Sequence, residues 1–261
     1  MSFDRLVSVF DEADVILIGE LHGHPLGLMF AADLWDEGAR RAPHAALSLE
    51  FLERDEQALI DDYLTGVADR SEFVERSGRE RDLPEEHWRM IDTARELDRP
   101  VIASNAPRRY VKLARVEGYD RLRALTADQR RLFAIPESLP DGPYRDAFAT
   151  AMGHASDSPA PGMSVDDFFR AQFMWDATMT ESIIQARAAG ARPVTQVVGQ
   201  FHVIRGQGIA GLLADHPDDL LVWSIAIIDE WSDRLRDEDQ GMADAVIYVG
   251  SADDAKPSTD R

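Results

Sequence analysis

The sequence predicts an α/β protein with a mainly parallel central sheet flanked by helices and a small helical subdomain. Three observations point there. Short apolar, β-branched runs alternate with long helical patterns, the order that βαβ units produce. Two of those runs close alike, in Gly19-Glu20-Leu21-His22 and Gly199-Gln200-Phe201-His202. A long stretch between the third and fourth runs is helical in pattern and carries no strand signal.

Taken in order, the expected strands are residues 15–18, 45–49, 101–103, 194–198, 220–228 and 245–249. The last two are joined by an acidic segment with no apolar period, which reads as an antiparallel edge hairpin with a long solvated loop. Residues 107–150, broken by a Pro-rich loop at 136–143, read as a helical lid or subdomain. Residues 156–161 read as a mobile loop. The clearest helix covers 166–188, where Phe168, Ala171, Trp175, Met179, Ile183 and Ala186 repeat at three- and four-residue steps and mark one buried face. Beside them Gln172, Asp176 and Thr180 form a polar stripe, facing either solvent or a cleft. The expected organisation is one α/β domain over 1–250, with the lid at about 107–150 and a flexible tail at 251–261.

Composition narrows the chemistry. At 261 residues with 44% hydrophobic content, the chain can bury a substantial core. It has no Cys, which excludes disulfides, thiolate metal sites and Cys nucleophiles. The 48 acidic residues exceed the 28 basic ones, for a formal charge of −20, whereas a nucleic-acid-binding face must be basic. No nucleic-acid partner is expected. No signal peptide, lipoprotein leader or membrane-length apolar run is visible, so the expected location is cytoplasmic.

Four strand ends supply polar groups, and in an open parallel sheet ligands bind beyond the carboxyl ends of the strands. The first gives Glu20 and His22, with His24 two residues on; the second gives Glu50; the third gives Asn105; the fourth gives His202. Two His and two Glu can do either of two jobs. They can hold a divalent metal that activates water, or one Glu can act as base while His steadies developing charge. Glu20, His22, Glu50 and His202 are thus the expected catalytic residues and equally the expected metal ligands. Arg108 or Arg205 could steady an anion, or could simply pair with Glu20. Gly19 and Gly199 are expected where the chain turns off a strand or where a side chain would obstruct the cleft, so that Gly19→Val should harm ligand binding more than folding.

Other features read more plainly. His44, His154 and His216 fit solvated positions, and Glu53, Asp55, Glu56, Asp61 and Asp62 an acidic solvated helix face. Tyr63, Tyr110 and Tyr144 fit packing roles, a phenolate being an alternative ligand for ferric iron. There is no nucleophile elbow, Walker loop or dinucleotide fingerprint. The glycines at 206, 208 and 211 read as the turn into a helix.

The motifs Ile18-Gly-Glu-Leu-His22, Ser48-Leu-Glu-Phe51, Ser104-Asn-Ala-Pro107, Ala171-Gln-Phe-Met-Trp-Asp176 and Gly199-Gln-Phe-His202, in that order, resemble the ChaN-like family of the haem-binding-uptake/Tiki superfamily. That superfamily includes TraB-type proteins and erythromycin esterases. The resemblance implies a ChaN-like α/β fold with functional residues at Glu20, His22, Glu50 and His202. It also implies either of two activities: haem or iron handling, with haem bound between two subunits as a homodimer, or a hydrolase acting on esters or peptides. The implied cofactor is a divalent metal or haem iron, and Asn105, Arg108, Gln172, Asp176 and Arg205 are the expected cofactor-binding residues. The chain departs from the family pattern in having Gly27 and Leu28 where a further His pair often stands, in the shortened segment Asp82-Leu83-Pro84, and in lacking a lipoprotein leader.

Overall fold

Six parallel strands form one sheet in the order β3-β2-β4-β1-β5-β6. In this computed structural model the described residues are 1–78, 82–154 and 163–255. The chain runs through α1 (Phe3–Ser8), β1 (Val15–Glu20), α2 (Pro25–Arg41), β2 (Ala46–Glu53), α3 (Gln57–Leu64), α4 (Arg70–Ser77) and α5 (Glu85–Glu96). It continues with β3 (Val101–Asn105), α6 (Arg108–Glu117), α7 (Tyr119–Arg123), α8 (Ala127–Arg130), α9 (Pro143–His154) and α10 (Val165–Ala188). It ends with β4 (Val194–Gly199), α11 (Gly208–Ala214), β5 (Val222–Ile228) and β6 (Ala245–Tyr248).

The inner strands read as continuous apolar runs because both sheet faces are covered. Every residue of β1 and β4 is buried. One face packs Ile16, Ile18, Leu47 and Leu49 against Trp35 of α2 and Trp88 and Ile91 of α5. The other packs Val15, Leu17, Val194 and Val198 against Met179 and Ile183 of α10 and Ile209 of α11. Full burial of a side chain such as Leu17 contributes roughly 1.5–3 kcal/mol, so this double layer holds the strand ends rigidly in register.

The helix ends follow local chemistry. α2 starts with Pro25 in its first turn, and the His24 side chain caps it by accepting from the Gly27 N–H. α10 opens with a capping box in which Ser164 and Asp167 satisfy each other's backbone N–H.

Several expectations need correcting. β6 pairs with β5 in parallel register, Ile225 opposite Ala245, and is not the return arm of a hairpin. The acidic connection is long enough for a crossover, and its missing apolar period reflects irregular chain with one short 3-10 turn, Asp237–Asp239. α10 is buried on far more than one face, and the stripe of Gln172, Asp176 and Thr180 is buried with it. Glu56 is buried too, its carboxylate accepting from the Glu53 N–H. Ala252–Ala255 form a 3-10 turn, while the expected loop at 156–161 and the tail beyond residue 255 lie outside the described residues. Among the described residues no helix is long and apolar enough to cross a membrane.

Candidate functional site

The parallel sheet brings the carboxyl ends of neighbouring strands β2, β4 and β1 to one edge. Glu50 lies on β2, His202 in the 3-10 turn after β4, and His22 in the turn after β1. The two imidazoles converge on Glu50. His22 Nε2 is 4.0 Å from Glu50 Oε2, and His202 Nε2 is 3.6 Å from Glu50 Oε1. Glu50 is itself held by the Gly199 N–H, which donates to Oε2 at 2.7 Å.

Each imidazole is anchored from behind by its own carboxylate. A carboxylate can only accept, so His22 Nδ1–H donates to Glu20 Oε1 at 3.0 Å and His202 Nδ1–H donates to Asp176 Oδ1 at 2.5 Å. Each carboxylate is in turn held by a second donor: His87 Nε2–H reaches Glu20 Oε2 at 2.8 Å, and the Tyr144 hydroxyl reaches Asp176 Oδ2 at 2.6 Å. The Gln172 amide lies 3.1 Å from His202 Nδ1. Two parallel chains, His87–Glu20–His22 and Tyr144–Asp176–His202, thus meet at Glu50.

Burial and pairing set the charges. Burial pushes Glu20 up, but hydrogen bonds from His22 and His87 prevail and hold its carboxyl below the usual range. His22 is raised, chiefly by its hydrogen bond to Glu20 against desolvation, with Glu50 adding to the rise. Burial opposes the charged form of His202, yet Asp176 and Glu50 outweigh it and push the imidazole up to about 8. Burial and the neighbouring Asp176 push the Tyr144 phenol far above its ordinary value, which keeps it a neutral donor. Accessibility divides the pair: the His22 side chain is 55% exposed, while His202 is buried.

The glycines are explained by close approach. A Cβ on Gly199 would lie 2.8 Å from His22 Nε2, inside the site. A Cβ on Gly19 would instead meet the Gln200 Cα at 2.9 Å and the Val203 side chain at 2.8 Å. Gly19 therefore lets the 200–203 turn pack on β1, and Gly19→Val threatens folding as much as binding, contrary to the expectation from sequence.

Of the remaining expected residues, Gln172 and Asp176 line the site and the other three do not. Asn105 serves the backbone, donating to the Glu50 carbonyl and accepting from the Ala106 N–H. Arg108 is 86% exposed and lies 3.8 Å from Glu53. Arg205 donates to the Glu238 carbonyl. Glu20 pairs with two imidazoles, not with either arginine. His24 is a helix cap, His44 makes an isolated bridge with Arg192, and His216 accepts from the Asp218 N–H.

Two participants escaped the sequence reading. Tyr144 looked like a packing residue, although a buried Asp176 requires a second donor. His87 carries no motif; only its fold-mate Glu20, on a distant strand, reveals it.

The expected metal shell does not fit this donor set. Both Glu20 oxygens are taken by imidazole N–H groups, and among the described residues no three His or carboxylate side chains are grouped to hold a metal ion. A haem iron could be held by His22: with Nδ1–H tied to Glu20, Nε2 on the half-exposed ring is the atom that could ligate. The tyrosines do not offer a free phenol: Tyr63, Tyr119, Tyr144 and Tyr248 donate to protein acceptors, and Tyr110 is buried.

Fold and site together define a parallel α/β protein with a Glu/His cluster at the carboxyl edge of its sheet. The chain belongs to the family described as haem-binding uptake, Tiki superfamily, ChaN, whose pattern matches residues 6–213. Among solved structures it is similar to ChaN of Campylobacter jejuni, described with cofacial heme binding, at 13% identity and TM-score 0.65, covering 90% of this chain and 88% of that one. It is also similar to the type III effector HopBA1, at 15% identity and TM-score 0.52, covering 95% and 93%. At such identities the likeness is one of fold. No curated protein sequence matches the chain.

Proposed function

We propose that the cleft is a His/Glu-based acid–base centre that hydrolyses an acyl bond, an ester or a peptide. The observation that carries this reading is the convergence of two carboxylate-anchored imidazoles on one carboxylate, Glu50. The 4.0 Å between His22 Nε2 and Glu50 Oε2 exceeds a direct hydrogen bond, and one oxygen atom can lie at about 2.8 Å from both. Glu50 takes a proton from water as the water oxygen attacks the acyl carbon. The exposed His22 imidazolium gives its Nε2 proton to the leaving group, and the proton on Glu50 then restores His22. His202, charged at neutral pH with its value near 8, offsets the negative charge gathering beside Glu50. General acid–base groups placed this way contribute about 10²–10⁴-fold each.

A second reading has its own observation. The exposed His22 ring, with Glu20 behind Nδ1, is arranged like an axial haem ligand, and the family is a haem-binding one. His22 would then hold the iron, which would supply redox or transport chemistry. Arg108, largely exposed beside Glu53, would offer its guanidinium to a propionate. The acidic excess repels propionates, so the expected binding is weak or dimer-dependent, and reduced by Arg108→Ala and by raised salt.

One experiment weighs both readings. Purified protein is offered a panel of chromogenic esters and fluorogenic peptides, and in parallel is titrated with hemin while sedimentation follows dimerisation. Turnover lost in His22→Ala and His202→Gln supports the hydrolase. A saturable Soret change lost in His22→Ala, without turnover of any substrate, overturns it in favour of haem.

A further inference from the structure

We propose that His87 is a positioning residue that sets which nitrogen His22 presents to its ligand. The inference rests on the reading above only in taking His22 as the working imidazole. His87 lies in the first turn of α5 and has no exposed surface. Its Nε2 is 2.8 Å from Glu20 Oε2, and its Nδ1 is buried without a hydrogen-bond partner among the described residues. Glu20 can only accept, so the proton of His87 is on Nε2. A proton on Nδ1 would leave a buried N–H unpaired and take away the donor that Glu20 needs, and both losses disfavour it.

The consequence passes through Glu20 to His22. The Glu20 side chain is almost wholly buried and has two oxygens, each satisfied by one imidazole. With His87 holding Oε2, Oε1 is committed to His22, whose proton is then drawn to Nδ1 and whose Nε2 faces Glu50 and solvent. Phe51, next to Glu50 on β2, fixes both ring planes: its centroid is 4.7 Å from that of His87, tilted 41°, and 5.2 Å from that of His22 at 78°, edge on. Without the His87 donor, one Glu20 oxygen is buried and unsatisfied. The carboxylate can then rotate away, and the half-exposed His22 ring is free to exchange tautomers.

The test reads tautomers directly, so it does not depend on finding a substrate. Long-range ¹H–¹⁵N correlation of the histidine rings is recorded above the titration of His22 for wild type, His87→Leu and His87→Gln. In wild type His87 carries its proton on Nε2 and His22 on Nδ1. In His87→Gln the carboxamide N–H replaces the lost donor and the His22 pattern persists. In His87→Leu it is lost, and the His22 signals take the averaged shifts of a free imidazole while circular dichroism stays native. A wild-type spectrum with the His87 proton on Nδ1 overturns the proposal even if the leucine variant does not fold. An unchanged His22 pattern in a folded His87→Leu protein overturns it equally.

Discussion

At the residue scale, two positions turn the site geometry into measurable energies. Gly199 has an ordinary backbone angle, so its requirement is for space: a Cβ there would stand against His22 Nε2. Gly199→Ala should leave the thermal midpoint within a few degrees of wild type and cut turnover or ligand affinity at least tenfold, equivalent to about 1.4 kcal/mol. Wild-type affinity in that variant would show that His22 does not work where the structure places it. His202 gives a pH signature. Its folded value near 8 lies above the usual 6.5, so its contribution is fully present below pH 6.5 and fades as pH rises through 8. Between those limits stability should fall by about 2 kcal/mol, and the slope should flatten in His202→Gln. Urea midpoints across that range decide the matter. The two Gly-x-x-His motifs were legible in the sequence because local order shows where a strand ends. His87 was not, because its partner lies on another element and nothing in its own helix requires it.

At the element scale, α10 and the first turn of α9 supply the support for His202. Asp176 is wholly buried and bonded to both Tyr144 and His202. Asp176→Asn should cost about 3–5 kcal/mol, the range for breaking a buried charged pair by removing one partner. Tyr144→Phe should cost about 0.5–1.5 kcal/mol, the range for a single hydrogen bond. Thermal or chemical denaturation of the two variants ranks them, and equal losses would contradict the arrangement. The period of α10 was readable, but its burial was not: Gln172, Asp176 and Thr180 could face solvent or a cleft in isolation and become interior because α6, α9, α11 and the sheet all pack on this helix. The β5–β6 connection misled for the opposite reason, since an irregular crossover leaves no pattern that tells it from a hairpin loop.

At the scale of the whole molecule, the parallel sheet makes the site. Both sheet faces are covered, and at the carboxyl edge the order β2-β4-β1 places Glu50, His202 and His22 side by side. That order cannot be read from the sequence, because the inserted strand β4 arrives long after the strands it separates. With a net charge of −20 the molecule as a whole repels anions, so an anionic ligand must be met by local cations. Arg108 is exposed at the same edge, and raised salt should weaken binding of anionic ligands less in Arg108→Ala than in wild type. In the proposed hydrolytic centre Glu50, between two imidazoles, is the base. The most direct test of that role is the turnover of the best ester or peptide substrate by chelator-treated wild type and by Glu50→Gln. Full activity is expected in the first and a loss of about 10²–10⁴-fold in the second, with the fold intact. Undiminished turnover in Glu50→Gln, or turnover that appears only when a metal ion is added back, would contradict this reading.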